Sequence, residues 1–194
     1  MIVGGGGVAA RKARGLIEAG ATKVRMVSPS FHKDVPGAVE RVAERYEARH
    51  LEGAGLVFAA TDSGETNDAV VADARRLGIL VSRADADEGE PGDFSTPAVV
   101  RKGALTVMVS AAGAPALAAM VRDQLAGRID PRWREMAEAM QAIRPAVRGA
   151  RGMTAERRRE AFLDLATEEA MVMLAGKGTE GLWRWLVEKY PELV

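Results

Sequence analysis

The sequence of 194 residues contains no cysteine, only two histidines and few aromatic residues. The absence of cysteine excludes disulfide bonds, thiolate zinc sites and a cysteine nucleophile. With only His32 and His50 available, a metal site built from several histidines is not expected, and we predict that both are surface residues. Basic and acidic side chains balance at 27 each, which argues against a general nucleic-acid-binding protein.

Long hydrophobic runs are also missing from the sequence. No apolar run approaches the roughly 18 residues that a membrane-spanning helix needs. A glycine run follows Met1 almost directly, which is not the pattern of a secretory signal peptide. These observations predict a cytoplasmic protein with no membrane partner. The hydrophobic content of 47% comes mostly from Ala, Val and Leu, and it favours helices packed on a sheet.

The first part of the chain alternates short apolar runs with helical patterns. The apolar runs that predict strands lie at 1–3, 24–27, 55–60 and 79–81. Helical patterns occupy 8–19 and 67–77, and a charged, partly helical region is predicted at 31–52. This alternation predicts an α/β fold with a Rossmann-like, doubly wound parallel sheet. The first strand would be central yet very short, so either the native product begins upstream of Met1 or this strand is unusually short.

The alternation of apolar runs and helical patterns ends near residue 82. An acidic loop is predicted at 85–93, followed by a β-hairpin from runs at 97–100 and 105–109. Helices are predicted at 115–126, 131–147, 155–174 and 179–189, with breaks at 127, 145–152 and 176–178. We therefore predict an NAD-binding Rossmann-like domain over 1–93, a β connection and dimerisation segment over 94–114, and a helical C-terminal domain over 115–194.

Residues 4–9 read Gly-Gly-Gly-Gly-Val-Ala and match the dinucleotide-binding pattern G-x-G-x-x-A. In this pattern Gly4 allows a tight turn, Gly6 lets the backbone approach a pyrophosphate, and Ala9 permits close contact between helix and strand. The start of the following helix would add N–H groups and a partial positive charge, which suit a phosphate. The pattern predicts a nucleotide-binding site.

Polar residues follow the next two strands of the predicted sheet. Ser28 and Pro29 stand where an acidic ribose-binding residue is usual. Ser28 could bind a ribose hydroxyl, or the pair could simply end the strand. No arginine cluster beside it requires a 2′-phosphate, which favours NAD over NADP. Thr61 and Asp62 could also contact the cofactor, while Asn67 could cap the next helix.

Three ordered motifs resemble the dehydrogenase module of siroheme synthase. They are Ile-Val-Gly-Gly-Gly-Gly-Val-Ala-Ala-Arg-Lys-Ala-Arg at 2–14, Val-Phe-Ala-Ala-Thr-Asp at 57–62 with Asn67, and Phe-Ser-Thr-Pro-Ala-Val-Val-Arg at 94–101. The chain is therefore similar to the precorrin-2 dehydrogenases, some of which are also sirohydrochlorin ferrochelatases. The resemblance covers about residues 1–126. It implies oxidation of precorrin-2 to sirohydrochlorin with hydride passing to NAD, ferrous iron insertion in bifunctional members, and a homodimer.

The resemblance also implies which residues act. Cofactor contacts fall on Gly7, Val8, Ser28 and Pro29, and the essential aspartate after the fifth strand falls on Asp85. The loop up to Phe94 is longer than in some relatives, so Asp87 is a rival for that role. The turn at 110–115 departs from the family's Ser-Gly-Gly-Thr-Ser character.

A tetrapyrrole with many carboxylates calls for cationic partners, preferably arginines. Arg101 and Arg122 are candidate substrate-binding residues, together with Ser110 in the altered turn. The arginines at 157–159 are more simply explained as a solvated helix face, and Met and Trp residues in the helical part as packing residues. The alternative function is a non-catalytic dinucleotide-sensing module that regulates a partner through its helical half.

Overall fold

The computed structural model describes residues 1–85 and 92–194. The chain divides into two compact units, Met1–Thr96 and Pro97–Val194. Each unit has its own apolar core. The two units are described separately below.

The first unit is an α/β sheet unit. Its strands are β1 (Ile2–Val3), β2 (Arg25–Val27), β3 (Glu40–Val42), β4 (Leu56–Ala59) and β5 (Leu80–Arg83). Its helices are α1 (Gly7–Glu18), α2 (Gly64–Arg76) and a short 3-10 helix, Ala48–Leu51. Within the described residues the strands form one parallel sheet in the order β3-β2-β1-β4-β5. The predicted Rossmann-like fold is confirmed.

Both faces of this sheet are covered, because successive strand residues point to opposite sides. On one face Ile2 and Phe58 pack against the alanines of α1. On the other face Val3 and Val57 pack against α2 and its Val70. All of these residues are almost completely buried. With a helix packed on each face, the sheet is doubly wound. The carboxyl ends of its strands lie at one edge between the two helix layers.

The central strand β1 is only two residues long, yet hydrogen bonds continue beyond both of its ends. The Met1 carbonyl accepts from the Phe58 N–H at 3.0 Å, and the terminal amine donates to the Leu56 carbonyl at 2.9 Å. After the strand, the Gly4 N–H donates to the Val27 carbonyl at 2.9 Å. These bonds tie the short strand to both neighbours.

Two expectations for the first unit are wrong and one is incomplete. The region 31–52 is partly helical, at Ala48–Leu51, but it also contains strand β3, which has no apolar run because it forms a polar sheet edge. His50 is 7% exposed rather than a surface residue: its Nε2 lies 3.1 Å from a Glu44 carboxylate, and its Nδ1 accepts from the Glu47 N–H. Helix α2 begins at Gly64 instead of residue 67, because Ser63 caps it by accepting from the Thr66 N–H.

The second unit contains a hairpin and a helical bundle. Strands β6 (Ala98–Lys102) and β7 (Leu105–Val109) pair antiparallel, as predicted. The helices are α3 (Pro115–Ala126), α4 (Pro131–Gly149), α5 (Ala155–Asp164), α6 (Glu168–Lys189) and a 3-10 turn, Pro191–Leu193. Met136 is buried in the core, and Met140, Met171, Trp183 and Trp185 pack against it. Their predicted packing role is confirmed, whereas Trp133 is about half exposed.

Two helix boundaries in this unit differ from the prediction. Helix α4 runs through Pro145 to Gly149, because the buried side chains of Ile143 and Val147 hold this turn against the core. The helix predicted over 155–174 is two helices, since Thr167 caps α6 by accepting from the Ala170 N–H. The break predicted at 176–178 is a kink inside α6 at Gly178.

Within the described residues, no helix combines the length and apolar character that crossing a membrane requires. The same residues hold no cluster of three or more His, Asp or Glu side chains arranged to bind a metal ion.

Candidate functional site

The glycine turn joins the central strand β1 to helix α1, and its glycines meet different constraints. Gly4 has φ +122°, and a Cβ there would overlap the carbonyl oxygen of Ala60. A Cβ on Gly5 would overlap the carbonyl oxygen of Ser30. These two glycines are required by the protein's own backbone, which approaches closely at both positions.

Gly6 is different, because no other part of the protein limits its size. A Cβ at Gly6 would meet no atom within 4 Å, and the residue is exposed. Gly6 is also the residue before α1, and no side chain caps that helix. Open space in front of uncapped backbone N–H groups is what a pyrophosphate needs. With Ala9 fully buried against the sheet, these residues fit the phosphates of a dinucleotide.

Other predicted cofactor residues lie around this turn. Ser28 follows β2, its N–H donates to the Val42 carbonyl at 3.1 Å, and its hydroxyl lies beside Gly5. Pro29 is exposed, and Val8 is 39% exposed in the first turn of α1. Ser28 and Val8 thus flank the glycine turn. Their contact with a cofactor stays a prediction.

Thr61 and Asn67 form a buried hydrogen-bonded turn after β4. The Asn67 side-chain oxygen accepts from the Thr61 N–H at 3.1 Å and from its hydroxyl at 2.8 Å. The Asn67 amide donates back to the Thr61 carbonyl at 3.2 Å. The sequence suggested that Asn67 could cap α2, but the cap is Ser63. Asn67 lies in the first turn of the helix, where it is fully buried and bonds to the end of β4. Asp62 is exposed beside this turn.

Asp85 follows β5 at the same edge of the sheet. The Ala84 N–H donates to the Ala59 carbonyl at 2.9 Å, which fixes the chain just before Asp85 against β4. Strand β4 in turn pairs with β1, which leads into the glycine turn. Two strand spacings separate these positions, roughly 10 Å across the sheet. The structure therefore brings Asp85 and the glycine turn to one edge. The rival Asp87 lies outside the described residues.

The carboxylate of Asp85 binds the guanidinium of Arg83. Arg83 Nε donates to one oxygen at 2.8 Å, and Nη2 donates to the other at 3.3 Å. The same guanidinium also pairs with Asp68 on α2. The Arg83 side chain is 1% exposed, whereas that of Asp85 is one-third exposed. A carboxylate held in this way has a defined orientation at the end of β5.

These contacts set the charge of Asp85. Burial by itself would raise the pKa of the Asp85 carboxyl, because it disfavours the charged form. Hydrogen bonds from Arg83 and Asn67 outweigh this effect and leave the pKa below its ordinary value. Asp85 is consequently ionised at neutral pH and able to accept a proton from a strongly acidic group.

Arg83 and Asp68 were missed at the level of sequence. The sequence did contain a signal: Arg83 is a charged residue at the end of a predicted buried strand, and a buried charge requires a partner. The sequence does not reveal that the partners are Asp68 and Asp85, because Asp68 reaches Arg83 only through the packing of α2 on β5.

Asp93 hydrogen-bonds to the outer edge of β5, and the residues after it pack on the sheet unit. Asp93 accepts from the Val81 N–H at 2.9 Å through its carboxylate, and its own N–H donates to the Val81 carbonyl at 2.7 Å. Phe94 then packs edge-on against Phe58, and Thr96 accepts from Lys12 on α1. The predicted motif at 94–96 therefore packs on the sheet unit.

The predicted substrate residues lie in the second unit. Arg101 on β6 and Ser110 after β7 are exposed, and Arg122 on α3 is half-buried with an ion pair to Asp123. The predicted solvated face at 157–159 is wrong in part. Arg157 stacks on the Tyr190 ring at 4.5 Å, and Arg158 donates to the Ala150 carbonyl at 2.8 Å.

The sheet unit matches a known protein family. Residues 1–98 match the model of a family described as "Putative NAD(P)-binding". The matched segment contains the glycine turn and Asp85, and it amounts to half of the chain. The chain belongs to this NAD(P)-binding family. The open backbone at Gly6 lies within the matched segment.

Individual relatives extend the similarity over the rest of the chain. The siroheme synthase of Chromobacterium violaceum is 34% identical over 195 residues, covering 97% of this chain and 40% of the relative. The siroheme synthase of Gluconobacter oxydans is 39% identical over 182 residues, covering 88% of this chain and 38% of the relative. The chain therefore spans about two-fifths of the length of these relatives.

A solved structure has the same fold along nearly the whole chain. The protein named SirC, precorrin-2 dehydrogenase, superposes with a TM-score of 0.71 over 97% of this chain and 93% of its own, at 20% identity. At that identity the match establishes the fold.

Proposed function

We propose that the chain is an NAD-dependent dehydrogenase that oxidises precorrin-2 to sirohydrochlorin in siroheme biosynthesis. The observation that carries the proposal is that Asp85, paired with Arg83, lies at the same sheet edge as the open turn at Gly6. The names of the relatives, siroheme synthase and precorrin-2 dehydrogenase, support the choice of substrate.

The residues around the glycine turn favour NAD over NADP. Gly6 and the uncapped start of α1 would hold the pyrophosphate, and Ser28 would hydrogen-bond a ribose hydroxyl. Arg25 forms an ion pair with the Glu40 carboxylate, so its charge is already paired and does not call for the 2′-phosphate of NADP. We infer that Thr61 shapes the nicotinamide end through its bonds to Asn67, with Asp62 beside it.

The reaction removes one hydride and one proton from the substrate. A bound nicotinamide supplies the hydride acceptor, so that NAD becomes NADH. Hydride loss leaves a cationic macrocycle, and Asp85 accepts the proton that this cation sheds. The substrate is oxidised by two electrons, and the proton passes from Asp85 to solvent. A low pKa suits this role, because the proton of a cationic macrocycle is strongly acidic.

Two parts of the proposal concern the second unit. Arg101 and Arg122 are the proposed partners of substrate carboxylates, since guanidinium groups bind carboxylates in a fixed fork, and Ser110 is a further proposed contact. The chain is also proposed to be a homodimer. Exposed apolar side chains on the hairpin and α3 support this: Met108 is 62% exposed, Leu117 48% and Met120 51%.

The test is the substitution Asp85→Asn, assayed with precorrin-2 and NAD. Turnover should fall by about 10²–10⁴-fold, the usual contribution of a positioned acid or base, while the dissociation constant of NAD stays within about twofold. Asp34→Asn is the matched control, because Asp34 is an exposed aspartate of the same unit. Wild-type turnover in Asp85→Asn would overturn the assigned role.

A further inference from the structure

Arg83 is an unusual residue for the end of the largely apolar strand β5. Its side chain is 1% exposed, and the preceding Val81 and Ser82 are buried. Removing a guanidinium from water is costly unless charged and hydrogen-bonding partners replace the water. Arg83 must therefore be explained by what it binds.

Its partners come from two different elements. Two nitrogens of the fork bind both oxygens of Asp85, as described above, and Nη1 pairs with Asp68 on α2. Nη2 also lies 3.5 Å from the Gly64 carbonyl, at the first residue of α2. The planar group thus links the end of β5 to the start of α2. A bidentate pair of this kind fixes the orientation of a carboxylate as well as its charge.

The two carboxylates are not equivalent. Asp68 is half exposed, whereas Asp85 is one-third exposed and also accepts a hydrogen bond from Asn67. Arg83 and Asp68 are the charged groups that face Asp85 from the described parts of β5 and α2. Arg83 binds these two carboxylates through different nitrogens, and the negative charge of Asp68 offsets part of the positive charge that acts on Asp85.

We propose that Arg83 is the positioning residue of the dehydrogenase, fixing the orientation and charge of the Asp85 carboxylate, and that Asp68 moderates this effect by sharing the guanidinium. The inference rests on the function proposed above. Arg83 does not touch the reacting atoms in this scheme; it acts through Asp85.

The direction of the effect follows from the contacts. Without the guanidinium, burial is left as the main influence and raises the pKa of Asp85. A base must be unprotonated to act, so the acidic limb of the kcat/KM profile should move to higher pH. Loss of the Asp68 charge has the opposite sign, because a negative charge beside the Arg83–Asp85 pair is removed, and the acidic limb should move to lower pH.

The experiment compares four variants of the full chain. Arg83→Met removes the charge, Arg83→Lys keeps the charge and loses the fork, and Asp68→Asn removes the competing carboxylate. Arg76→Met is the matched control, since Arg76 is an exposed arginine of α2 paired with Asp73. The readouts are the pH profile of kcat/KM for precorrin-2, the affinity for NAD, and a carbon NMR titration of the Asp85 carboxyl without substrate.

In Arg83→Met the Asp85 titration and the acidic limb should both rise by about 1–3 pH units, the effect of an adjacent opposite charge. Arg83→Lys should shift the limb less and lower kcat about tenfold, because the carboxylate is no longer held in one orientation. Arg76→Met should behave as the wild type. If Arg83→Met does not fold, the other two variants still test the proposal: the acidic limb should move to higher pH in Arg83→Lys and to lower pH in Asp68→Asn.

Two failures can be told apart. An Asp85 titration that does not move in folded Arg83 and Asp68 variants would overturn the role of Arg83, whatever the chain catalyses. A wild-type chain that binds NAD without oxidising precorrin-2 would overturn the proposed function, and the positioning role with it, even if the titration moved as expected.

Discussion

At the residue scale, neighbouring glycines of one turn serve different purposes. Gly4 and Gly5 are excluded from carrying a side chain by the carbonyl oxygens of Ala60 and Ser30. Gly6 meets no such obstacle, so its lack of a side chain matters only for something that approaches from outside. Folding explains the first two glycines, and the proposed binding of a pyrophosphate accounts for the third.

This distinction gives a prediction for Gly6→Ala. The variant should fold as the wild type, because the added methyl enters open space. It should weaken NAD binding by about tenfold or more, or about 1.4 kcal/mol, because the methyl group occupies the approach of the pyrophosphate. Isothermal titration calorimetry with NAD measures the change.

The matched control is Gly15→Ala, inside helix α1. A Cβ at Gly15 also meets no atom, and alanine in a helix interior stabilises by about 0.5–1 kcal/mol relative to glycine. NAD affinity should be unchanged in that variant. Equal NAD affinity in Gly6→Ala and Gly15→Ala would show that the pyrophosphate does not contact this turn as we describe.

How far the site could be predicted depends on the range of its interactions. The glycine turn is local, so Gly4, Gly6 and Ala9 could be recognised from their spacing. Arg83 could not, because its partner Asp68 is 15 positions away and meets it only after α2 packs on the sheet. Predicting the charge state of Asp85 required that contact.

At the element scale, the sequence predicts best where a pattern is apolar and periodic. Helix α3 and strand β7 have the predicted bounds, and α3 is delimited by Pro115 and Gly127. Strand β3 was missed because it lies at the sheet edge with exposed side chains. Helix α4 was predicted over 131–147 and extends two residues further, to Gly149.

The kink in α6 gives a second prediction. Gly178 has φ 67° and ψ −175°, a conformation that side chains rarely tolerate, and substitution there should cost about 1–3 kcal/mol. Gly178→Ala should therefore lower the free energy of unfolding of the second unit. Urea denaturation followed by tryptophan fluorescence measures this unit selectively, because Trp133, Trp183 and Trp185 all belong to it.

Gly176→Ala is the control for this change. It lies two residues earlier in α6, and a Cβ there would meet no atom. It should leave stability unchanged or raise it slightly. Equal stability in the two variants would contradict the strained geometry at Gly178.

The end of α6 is held by a hydrogen bond that should depend on pH. The Tyr190 hydroxyl donates to Asp164 at 2.6 Å, and with Lys189 it holds the pKa of Asp164 below its usual value. Burial and this bond raise the pKa of Tyr190 to about 12. A carboxyl whose pKa is lowered by folding stabilises the folded state when the pH is above the pKa of the same carboxyl in the unfolded chain, which is about 3.9. This contribution is lost as the pH falls through the pKa in the folded state.

Tyr190→Phe should therefore lower the free energy of unfolding by about 1–2 kcal/mol at pH 7. The difference from the wild type should shrink once the pH is low enough to protonate Asp164. Urea titrations at several pH values between 7 and about 3 measure it. A destabilisation that is the same at every pH would mean that the ionised carboxylate is not the partner that matters.

At the scale of the whole molecule, the exposed apolar surface of the second unit predicts self-association. The hairpin leaves its outer edges unpaired within the described residues, and free sheet edges invite pairing with another chain. Met108→Glu should convert a dimer into a monomer in sedimentation velocity. Val172→Glu is the control, because Val172 is equally exposed but lies on α6. A monomeric wild type would contradict the proposed homodimer.

The most direct test of the account uses the wild-type chain with NAD and one equivalent of precorrin-2. We predict that NADH forms only when precorrin-2 is present and that one NADH appears for each sirohydrochlorin produced. The two products are followed by their separate absorption bands. Binding of NAD without any NADH formation in the presence of precorrin-2 would contradict the central claim.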